Sequence, residues 1–281
     1  CNGLSPVPVF KIYKQTKNRI MKKIYILGDR SSKSLSPFIF NYWFKKYKIN
    51  TRYDFIETKS KDFNKVALRA LKDKNVVGLN ITIPYKIKIM KLLNKTNSHA
   101  KKINAVNCVV KGTSINGINT DWIGFKKSLS GLKINKKKNI IILGYGGAAQ
   151  AIYYSFLCSG FKSIYVFNRS KKLIKISTKK SYTKHYNKII NYLPRASLLI
   201  NTTPTNPLNK KQKDMVQERT IVGDIVYRPK NTRFLRSFKK NKKIFGISML
   251  INQAIPCFRA WFGFEPKIDA SLVKKINNKI T

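Results

Sequence analysis

Residues 139–149 read NIIILGYGGAA. The segment from Ile140 to Leu143 is a short, continuous apolar run, which is typical of a parallel strand buried on both faces. The pattern Gly144-x-Gly146-x-x-Ala149 follows it directly and leads into a helical segment, residues 150–159. In this strand-glycine-helix context the pattern predicts a dinucleotide-binding unit, with an ordinary strand-to-helix turn as the alternative.

The small residues of this turn have separate expected roles. Gly144 permits the tight turn, and Gly146 lets the backbone approach a pyrophosphate. Gly147 and Ala148 leave the helix N-terminus open, where unpaired N–H groups and the helix dipole favour anions. These four residues are therefore the first predicted cofactor contacts.

The next predicted strand, Lys162–Phe167, ends in Asn168-Arg169-Ser170. A protein that binds NAD usually carries Asp or Glu here for the ribose hydroxyls, and this turn has no carboxylate. Arg169 can stack on adenine and pair with a 2′-phosphate, and Ser170 can donate a hydrogen bond to that phosphate. The turn thus predicts NADP as the cofactor, with a generic basic turn in a lysine-rich chain as the alternative.

A second informative stretch, GLNITIPYK, covers residues 78–86. The apolar run Val76–Ile83 predicts a strand, and Pro84 ends it because proline cannot continue a central strand. Lys86 is therefore expected at the mouth of a sheet, where α/β proteins place their sites. The alternative is that Lys86 is one solvated lysine among many.

Two further motifs hold candidate site residues. Asp121, in GINTDWIG (residues 117–124), is one of 11 acidic residues and lies where two blocks of the chain meet. It could hold a lysine ammonium and tune its pKa, or it could simply cap the helix that begins near Trp122. Ser34 and Ser36 lie at the start of a predicted helix, where hydroxyls suit a small carboxylate or cap the helix.

Strand-like and helix-like segments alternate along the whole chain, which indicates an α/β fold. We expect two domains separated by a cleft, an N-terminal α/β substrate domain and a Rossmann-like NADP-binding domain. Residues 21–121 with 249–281 are predicted to form the substrate and catalytic domain, and residues 122–248 the NADP-binding domain. Residues 1–20 are expected to be a disordered or extraneous extension.

Composition narrows the class of protein. The chain has 281 residues, 43% of them hydrophobic, and lacks the run of about 18 apolar residues that a membrane helix needs. Its formal net charge is +47, but the lysines are spread evenly, so compositional drift explains the charge better than a nucleic-acid patch. The four cysteines are scattered, without the spacing of a disulfide framework or a zinc site, which fits a reducing cytoplasm, and neither of the two histidines has a metal-ligand partner at useful spacing. We expect no metal, no membrane, no specific nucleic acid, and a monomer or homodimer.

Together these motifs resemble the shikimate dehydrogenase family, over nearly the whole chain from about Met21 to about Pro266. The segments that match the family's motifs, in order, are 33–37, 80–86, 105–108, 117–124, 144–149, 168–170, 201–203, 224–229 and 246–254. Each match is weak alone, whereas so many in the same order are specific.

The resemblance implies a role for each matching residue. Lys86 and Asp121 would form the catalytic pair, and Ser34 and Ser36 would hold the substrate carboxylate. The residues implied to line the substrate ring and its hydroxyls are Thr82, Asn107, Tyr227 and Gln253. The residues implied to hold NADP are Gly144, Gly146, Gly147, Ala148, Asn168, Arg169, Ser170, Lys172, Thr202 and Gly246.

The sequence departs from the family pattern at a few positions. Lys33 replaces a usual His, and Cys108 replaces a Thr beside a substrate residue. Leu173 stands where the family often has a second Arg, and Lys171 or Lys172 is expected to substitute for it.

The resemblance implies reversible, NADPH-dependent reduction of 3-dehydroshikimate to shikimate in the biosynthesis of aromatic amino acids. Lys86 would protonate the forming alkoxide and take the proton back in the reverse direction. Two alternatives remain at this point. One is a quinate or shikimate dehydrogenase that uses NAD, and the other is a non-catalytic protein that binds polyanions.

Overall fold

The structure is a computed structural model that describes residues 20–176 and 181–280. Within these ranges the chain forms two compact units. The first unit contains residues 20–120 and 253–276, and the second contains residues 121–252 and 277–280. The extension expected over residues 1–20 lies outside the described residues except for Ile20, which is exposed.

The first unit is built on a six-stranded mixed sheet. Its strands are β1 (Lys22–Gly28), β2 (Thr51–Glu57), β3 (Val76–Ile81), β4 (Lys95–Thr96), β5 (Cys108–Lys111) and β6 (Ile115–Ile118). The strand order is β2-β1-β3-β5-β6-β4. The first three strands pair in parallel, whereas β5 runs antiparallel to both β3 and β6. The parallel strands β1 and β3 therefore end at the same edge.

Helices cover this sheet and complete its core. They are α1 (Ser36–Lys46), α2 (Phe63–Lys72) and α3 (Ser98–Ile103), with 3-10 helices at Ser31–Lys33 and Lys88–Leu92. Phe63 and Ala67 of α2 share one buried core with Leu79 of β3, because apolar residues recur on one face of that helix. The ring of Phe40 in α1 stacks on Tyr53 of β2 at 4.7 Å.

The predicted strand Val76–Ile83 is too long, since β3 ends at Ile81. The N–H of Thr82 still donates to Leu27 O (3.0 Å), but Thr82 O accepts from Tyr85 N (2.9 Å) and so begins a turn. Ile83, the second residue beyond the strand, is 61% exposed. The turn begins two residues before the proline and closes one residue after it, so Pro84 lies inside the turn and does not itself end the strand.

The second unit is built on a five-stranded sheet in which all strands are parallel. Its strands are β7 (Asn139–Leu143), β8 (Ile164–Phe167), β9 (Ala196–Asn201), β10 (Ile221–Asp224) and β11 (Lys243–Phe245). The order β11-β10-β9-β7-β8 places β8 on one side of β7 and β9 on the other. The strands that follow β7 in the chain thus lie on opposite sides of it, which makes the carboxyl end of β7 a topological switch point. Open α/β sheets bind their ligands at such points.

The helices of the second unit are α4 (Asp121–Ser128), α5 (Gly147–Cys158), α6 (Lys210–Asp214) and α7 (Arg233–Arg236), with 3-10 helices at Tyr186–Asn191 and Leu193–Arg195. Two further helices, α8 (Gly246–Phe262) and α9 (Ala270–Ile280), pass from one unit to the other along the chain. The first unit takes over α8 from Gln253 onward. The second unit takes over α9 after Ile276. Over the ranges that the structure describes, no helix is both long enough and apolar enough to span a bilayer.

The prediction that β7 is buried on both faces is confirmed. Ile140 and Ile142 belong to the core shared with Phe156 of α5. Ile141 and Leu143 belong to a separate core on the other side of the sheet. All four strand residues are 0% exposed. Alternate side chains of a strand point to opposite faces, so a continuous apolar run needs a layer on each side.

Candidate active site

Lys86 lies in the turn that follows β3, at the carboxyl edge of the first unit's sheet. Its carbonyl oxygen accepts a hydrogen bond from Val106 N (2.8 Å). The adjacent Tyr85 is buried, its hydroxyl donates to Thr58 O (2.7 Å), and its ring stacks on Phe63 at 4.3 Å. These contacts hold the backbone on both sides of Lys86 and leave its side chain half-buried. The predicted position at the mouth of a sheet agrees with the structure.

Thr82 begins the same turn and packs closely on the end of β1. A Cβ added at Gly28 would lie 2.2 Å from Thr82 Cγ2. Any residue other than glycine at the end of β1 would therefore push Thr82 and the turn outward. This close approach explains the glycine at position 28 and fixes Thr82 beside the two strand ends.

Asn107 and Gln253 are joined in one buried hydrogen-bond network with Thr120. Asn107 Nδ2 donates to Thr120 Oγ1 (2.8 Å) and to Gln253 Oε1 (3.1 Å). Asn107 Oδ1 accepts from the backbone N–H of Thr120 (2.7 Å). The structure thus brings together two of the predicted substrate residues. The two hydrogen bonds between Asn107 and Thr120 also anchor the backbone immediately before Asp121.

The network extends to side chains that the sequence interpretation did not assign to the site. Asn80 Nδ2 donates to Asn107 O (2.9 Å) and lies 3.3 Å from Cys257 Sγ. Tyr53 Oη donates to Asn80 Oδ1 (2.7 Å), and Cys257 Sγ lies 3.1 Å from Thr120 Oγ1. One signal was available in the sequence, because Asn80 is a polar residue inside the apolar run of β3. Nothing local in the sequence marks Cys257.

The two serines lie where the first helix begins. Ser36 is the first residue of α1 and is buried, and Ser34 is half-buried. Ser34 Oγ accepts a hydrogen bond from Ser36 N (3.1 Å), so Ser34 satisfies one of the unpaired N–H groups of the helix start. The N-cap position itself is occupied by Leu35, which offers no side-chain acceptor, so Ser34 supports the helix start from one residue earlier.

In the second unit the glycine turn has the geometry that the sequence predicts. Gly144 adopts a φ of +93°, and a Cβ there would lie 2.8 Å from Thr202 Oγ1. Thr202 is held by its N–H and its hydroxyl, which both donate to Leu143 O (2.9 and 2.6 Å). A Cβ added at Gly146 would meet no atom of the described residues within 4 Å. The backbone at Gly146 therefore faces open space, and a pyrophosphate could approach it.

The basic turn follows β8 directly, at the same edge of the sheet. Asn168 Nδ2 donates to Ser170 O (3.1 Å), which closes the turn, while Arg169 and Ser170 are exposed. Lys172 is also exposed. The sequence did not predict one residue at this edge, Tyr186. Burial raises the pKa of its phenol, whereas a hydrogen bond with the backbone of Gly144 and the charge of the Arg169 guanidinium lower it. Tyr186 thus lies beside both cofactor motifs, and no pattern in the sequence marks it.

Asp224 ends β10 and is buried among donors. Its carboxylate accepts from Thr232 Oγ1 (2.7 Å), Val226 N (3.0 Å) and Asn201 Nδ2 (3.3 Å). Burial raises the pKa of this carboxyl group, and the three hydrogen bonds oppose the shift. A cavity of about 410 Å³ adjoins it, lined by Asn201, Thr205, Val226 and Thr232 among others. Asp224 therefore orders the loop ends of β9 and β10.

The remaining predicted residues fall in the second unit. Tyr227 follows β10 and is half-buried, and Gly246 is the buried first residue of α8. Asp121 is the buried first residue of α4. The predicted catalytic pair is thus divided along the chain, with Lys86 in the first unit and Asp121 in the second.

An all-parallel sheet with a glycine turn at its switch point, together with an α/β unit that carries a lysine at its strand ends, is typical of α/β dinucleotide-dependent enzymes. The family described as the shikimate dehydrogenase substrate binding domain matches residues 26–109. A shikimate dehydrogenase (NADP(+)) of Clostridium beijerinckii is 36% identical over 246 residues, which are 84% of this chain and 90% of that protein. The chain belongs to the shikimate dehydrogenase family.

Solved structures agree with this assignment. The crystal structure of shikimate dehydrogenase from Aquifex aeolicus has a TM-score of 0.80 and 30% identity, and the match covers 92% of this chain and 98% of that one. The shikimate 5-dehydrogenase of Thermus thermophilus, solved in complex with NADP(H) and shikimate, has a TM-score of 0.77 and 25% identity. That match covers 93% of this chain and 100% of the Thermus chain.

Proposed function

We propose that the protein catalyses the reversible, NADPH-dependent reduction of 3-dehydroshikimate to shikimate. The observation that carries the proposal is the buried network in which Asn107 and Gln253 meet beside the strand ends of the first unit. Two amides and a threonine hydroxyl suit a small ring that carries several hydroxyl groups, because each can donate and accept. The relatives named shikimate dehydrogenase (NADP(+)) support the same substrate and cofactor.

Lys86 is the proposed proton donor of the reduction. When the substrate carbonyl accepts a hydride, its oxygen becomes an alkoxide and needs a proton, and a lysine ammonium can give one and take it back in the reverse direction. The anchored backbone of the turn would keep the ammonium in place without a metal. Asp121 is proposed to bind a ring hydroxyl of the substrate, and Ser34 and Ser36 its carboxylate.

The residues of the second unit fit NADP. Hydride transfer is the chemistry that the nicotinamide supplies when it is bound. The open backbone at Gly146 and the N-terminus of α5 would accept the pyrophosphate, since unpaired N–H groups there favour anions. Arg169 and Ser170 would hold the 2′-phosphate, Lys172 would add charge, and Asn168 would order the turn. Thr202 and Gly246 would line the nicotinamide end.

The direct test is an absorbance assay of NADP⁺ reduction with shikimate as the substrate. We expect shikimate-dependent NADPH formation, and a much higher kcat/KM for shikimate with NADP⁺ than for quinate with NAD⁺. A higher kcat/KM for quinate with NAD⁺ would instead select the quinate dehydrogenase alternative. Absence of turnover on both substrates would contradict an enzymatic role.

Cofactor preference has its own test at Arg169. Removing its charge with Arg169→Gln should raise the KM for NADP⁺ by about tenfold or more, because an arginine–phosphate pair is a charge-assisted hydrogen bond worth about 1.5–3 kcal/mol. The KM for NAD⁺, which lacks the 2′-phosphate, should change little. Arg236→Gln, an exposed arginine on α7, is the matched control. Equal losses for both cofactors would contradict a 2′-phosphate role.

A further inference from the structure

A second polar cavity, of about 510 Å³, lies in the second unit at the amino edge of its parallel sheet. It is built from the loops that lead into four neighbouring strands. Lys137 and Lys138 directly precede β7, Ser163 precedes β8, Arg195 precedes β9, and Arg219 lies two residues before β10. The strands are parallel, so these loops meet at one edge, and the glycine turn and Arg169 lie at the opposite edge.

The lining of this cavity is strongly cationic. Four of its nine lining residues are Lys or Arg, and among the residues that the structure describes it includes no carboxylate. Glu218, the acidic neighbour of Arg219, is engaged elsewhere in an ion pair with Lys240 (2.7 Å). Four like charges around one cavity repel one another, and a bound anion would relieve that repulsion.

The walls of the cavity are ordered by hydrogen bonds that do not use the charged groups. Asn135 Oδ1 accepts from Lys137 N (2.9 Å), and Ser197 Oγ donates to Asn135 O (3.1 Å). Asn139 Nδ2 donates to Tyr192 O (3.1 Å), and the Tyr192 ring packs on Tyr165 at 4.5 Å. These bonds order part of the cavity wall. Of the four cationic residues, Lys137, Arg195 and Arg219 are exposed and Lys138 is half-buried.

We propose that this cavity binds a small anion with two or more adjacent phosphate groups. Two guanidinium groups match phosphate oxygens in pairs, and two lysines add point charges. A volume near 500 Å³ is within the usual range for small-molecule sites, about 300–1,000 Å³. The site is separate from the proposed 2′-phosphate site at Arg169, and it does not depend on the proposed reaction.

Calorimetric titration with tripolyphosphate at about 0.15 M salt, where surface charges are largely screened, tests the proposal. We expect one strong site in the wild-type protein. Affinity should fall at least about tenfold in Arg195→Gln/Arg219→Gln, since charged hydrogen bonds are lost. Lys137→Gln/Lys138→Gln is a second variant of the same cavity, which should also weaken binding. Both variants should melt no lower than the wild type, since removing like charges relieves repulsion, and should keep dehydrogenase activity; these two results verify folding.

Two controls separate this site from the total charge and from the cofactor edge. Arg236→Gln/Lys210→Gln removes two positive charges from the same unit outside the cavity, and Arg169→Gln removes the other phosphate candidate. Both should bind tripolyphosphate like the wild type. Equal binding by the cavity variants and the control pair, or loss of binding in Arg169→Gln alone, would overturn the proposal. Binding of a short oligonucleotide without tripolyphosphate binding would overturn it in favour of a nucleic-acid surface.

Discussion

Lys86 projects from a backbone that is held on both sides. Its carbonyl oxygen is bonded to Val106, one residue before Asn107, and its neighbour Tyr85 is buried against Phe63. A ring pair of this kind contributes about 0.5–1.5 kcal/mol beyond the area that it buries. The ammonium group therefore projects from an ordered turn, which a proton donor requires because proton transfer depends on position.

Replacing Lys86 with Ala should lower kcat for shikimate by at least about 10²-fold, the usual contribution of a general acid–base group. NADP⁺ binding, measured by fluorescence titration, should stay within about twofold, because such effects on remote sites are small. Lys91→Ala, an exposed lysine on the 3-10 helix that follows, is the matched control and should keep its activity. A near-normal rate in Lys86→Ala would refute the assignment.

Cys257 has three polar neighbours inside the buried network: Asn80, Thr120 and Gln253. Cys257→Val would keep most of the volume but leave those groups with one partner fewer, so we expect a raised KM for shikimate with an unchanged KM for NADP⁺. Cys257→Ser should restore much of the lost affinity because its hydroxyl can pair again. Cys158→Val, in the second unit, is the control. An unchanged KM for shikimate in Cys257→Val would argue that the sulfur has only a packing role.

At the scale of elements, α1 and the start of α9 are tied together by one carboxylate. Asp269 caps the first turn of α9 by accepting from Leu272 N (2.8 Å). It also accepts from Tyr42 Oη (2.8 Å) and forms an ion pair with Lys46, and both of these residues lie on α1. The Lys46 hydrogen bond, followed by the bonds from Leu272 and Tyr42, lowers the pKa of Asp269 to about 2.

The lowered pKa of Asp269 predicts a pH dependence with a definite sign. A carboxyl group with a depressed folded-state pKa stabilises the fold above its ordinary value and loses that contribution as the pH falls toward about 2. Thermal denaturation should therefore show wild type more stable than Asp269→Asn at neutral pH, with the difference shrinking below about pH 4. The difference should also be smaller when Lys46 is replaced by Gln. A difference that grows on acidification would contradict this account.

At the scale of the whole molecule, 58 Lys and Arg face 11 Asp and Glu, which leaves a formal net charge of +47. The described ion pairs lie at the surface, where solvent and salt screen them and they contribute little to stability. A net charge this far from zero disfavours the compact state through self-repulsion, and salt screens that repulsion over a Debye length of about 10 Å at 0.1 M.

Raising NaCl from about 0.02 M to about 0.3 M should therefore raise the melting temperature, as screening weakens the repulsion between like charges. Differential scanning calorimetry across a salt series measures this. The increase should be smaller in Lys210→Glu/Lys239→Glu, which lowers the net charge at two exposed positions. A melting temperature that falls or stays constant with added NaCl would show that charge repulsion does not limit stability.

Much of the fold could be predicted because its signals are local. The apolar run from Ile140 to Leu143 and the glycines after it decide strand, turn and helix among residues that are adjacent in the chain. The same holds for the carboxylate-free turn at Arg169. The end of β3 was misplaced by two residues, because the pattern runs on to Pro84 whereas the turn begins with the hydrogen bond between Thr82 and Tyr85.

The sequence by itself determined the alternation of strands and helices, the glycine turn, and the candidate residues Lys86 and Arg169. Tertiary structure alone decided which distant residues meet. Asn107 forms hydrogen bonds with Thr120, which is 13 positions away in the chain, and with Gln253, which is 146 positions away. The basic cavity is lined by residues from the loops that precede four strands. Such contacts depend on how strands are ordered and where their ends coincide, which no local pattern of residues encodes.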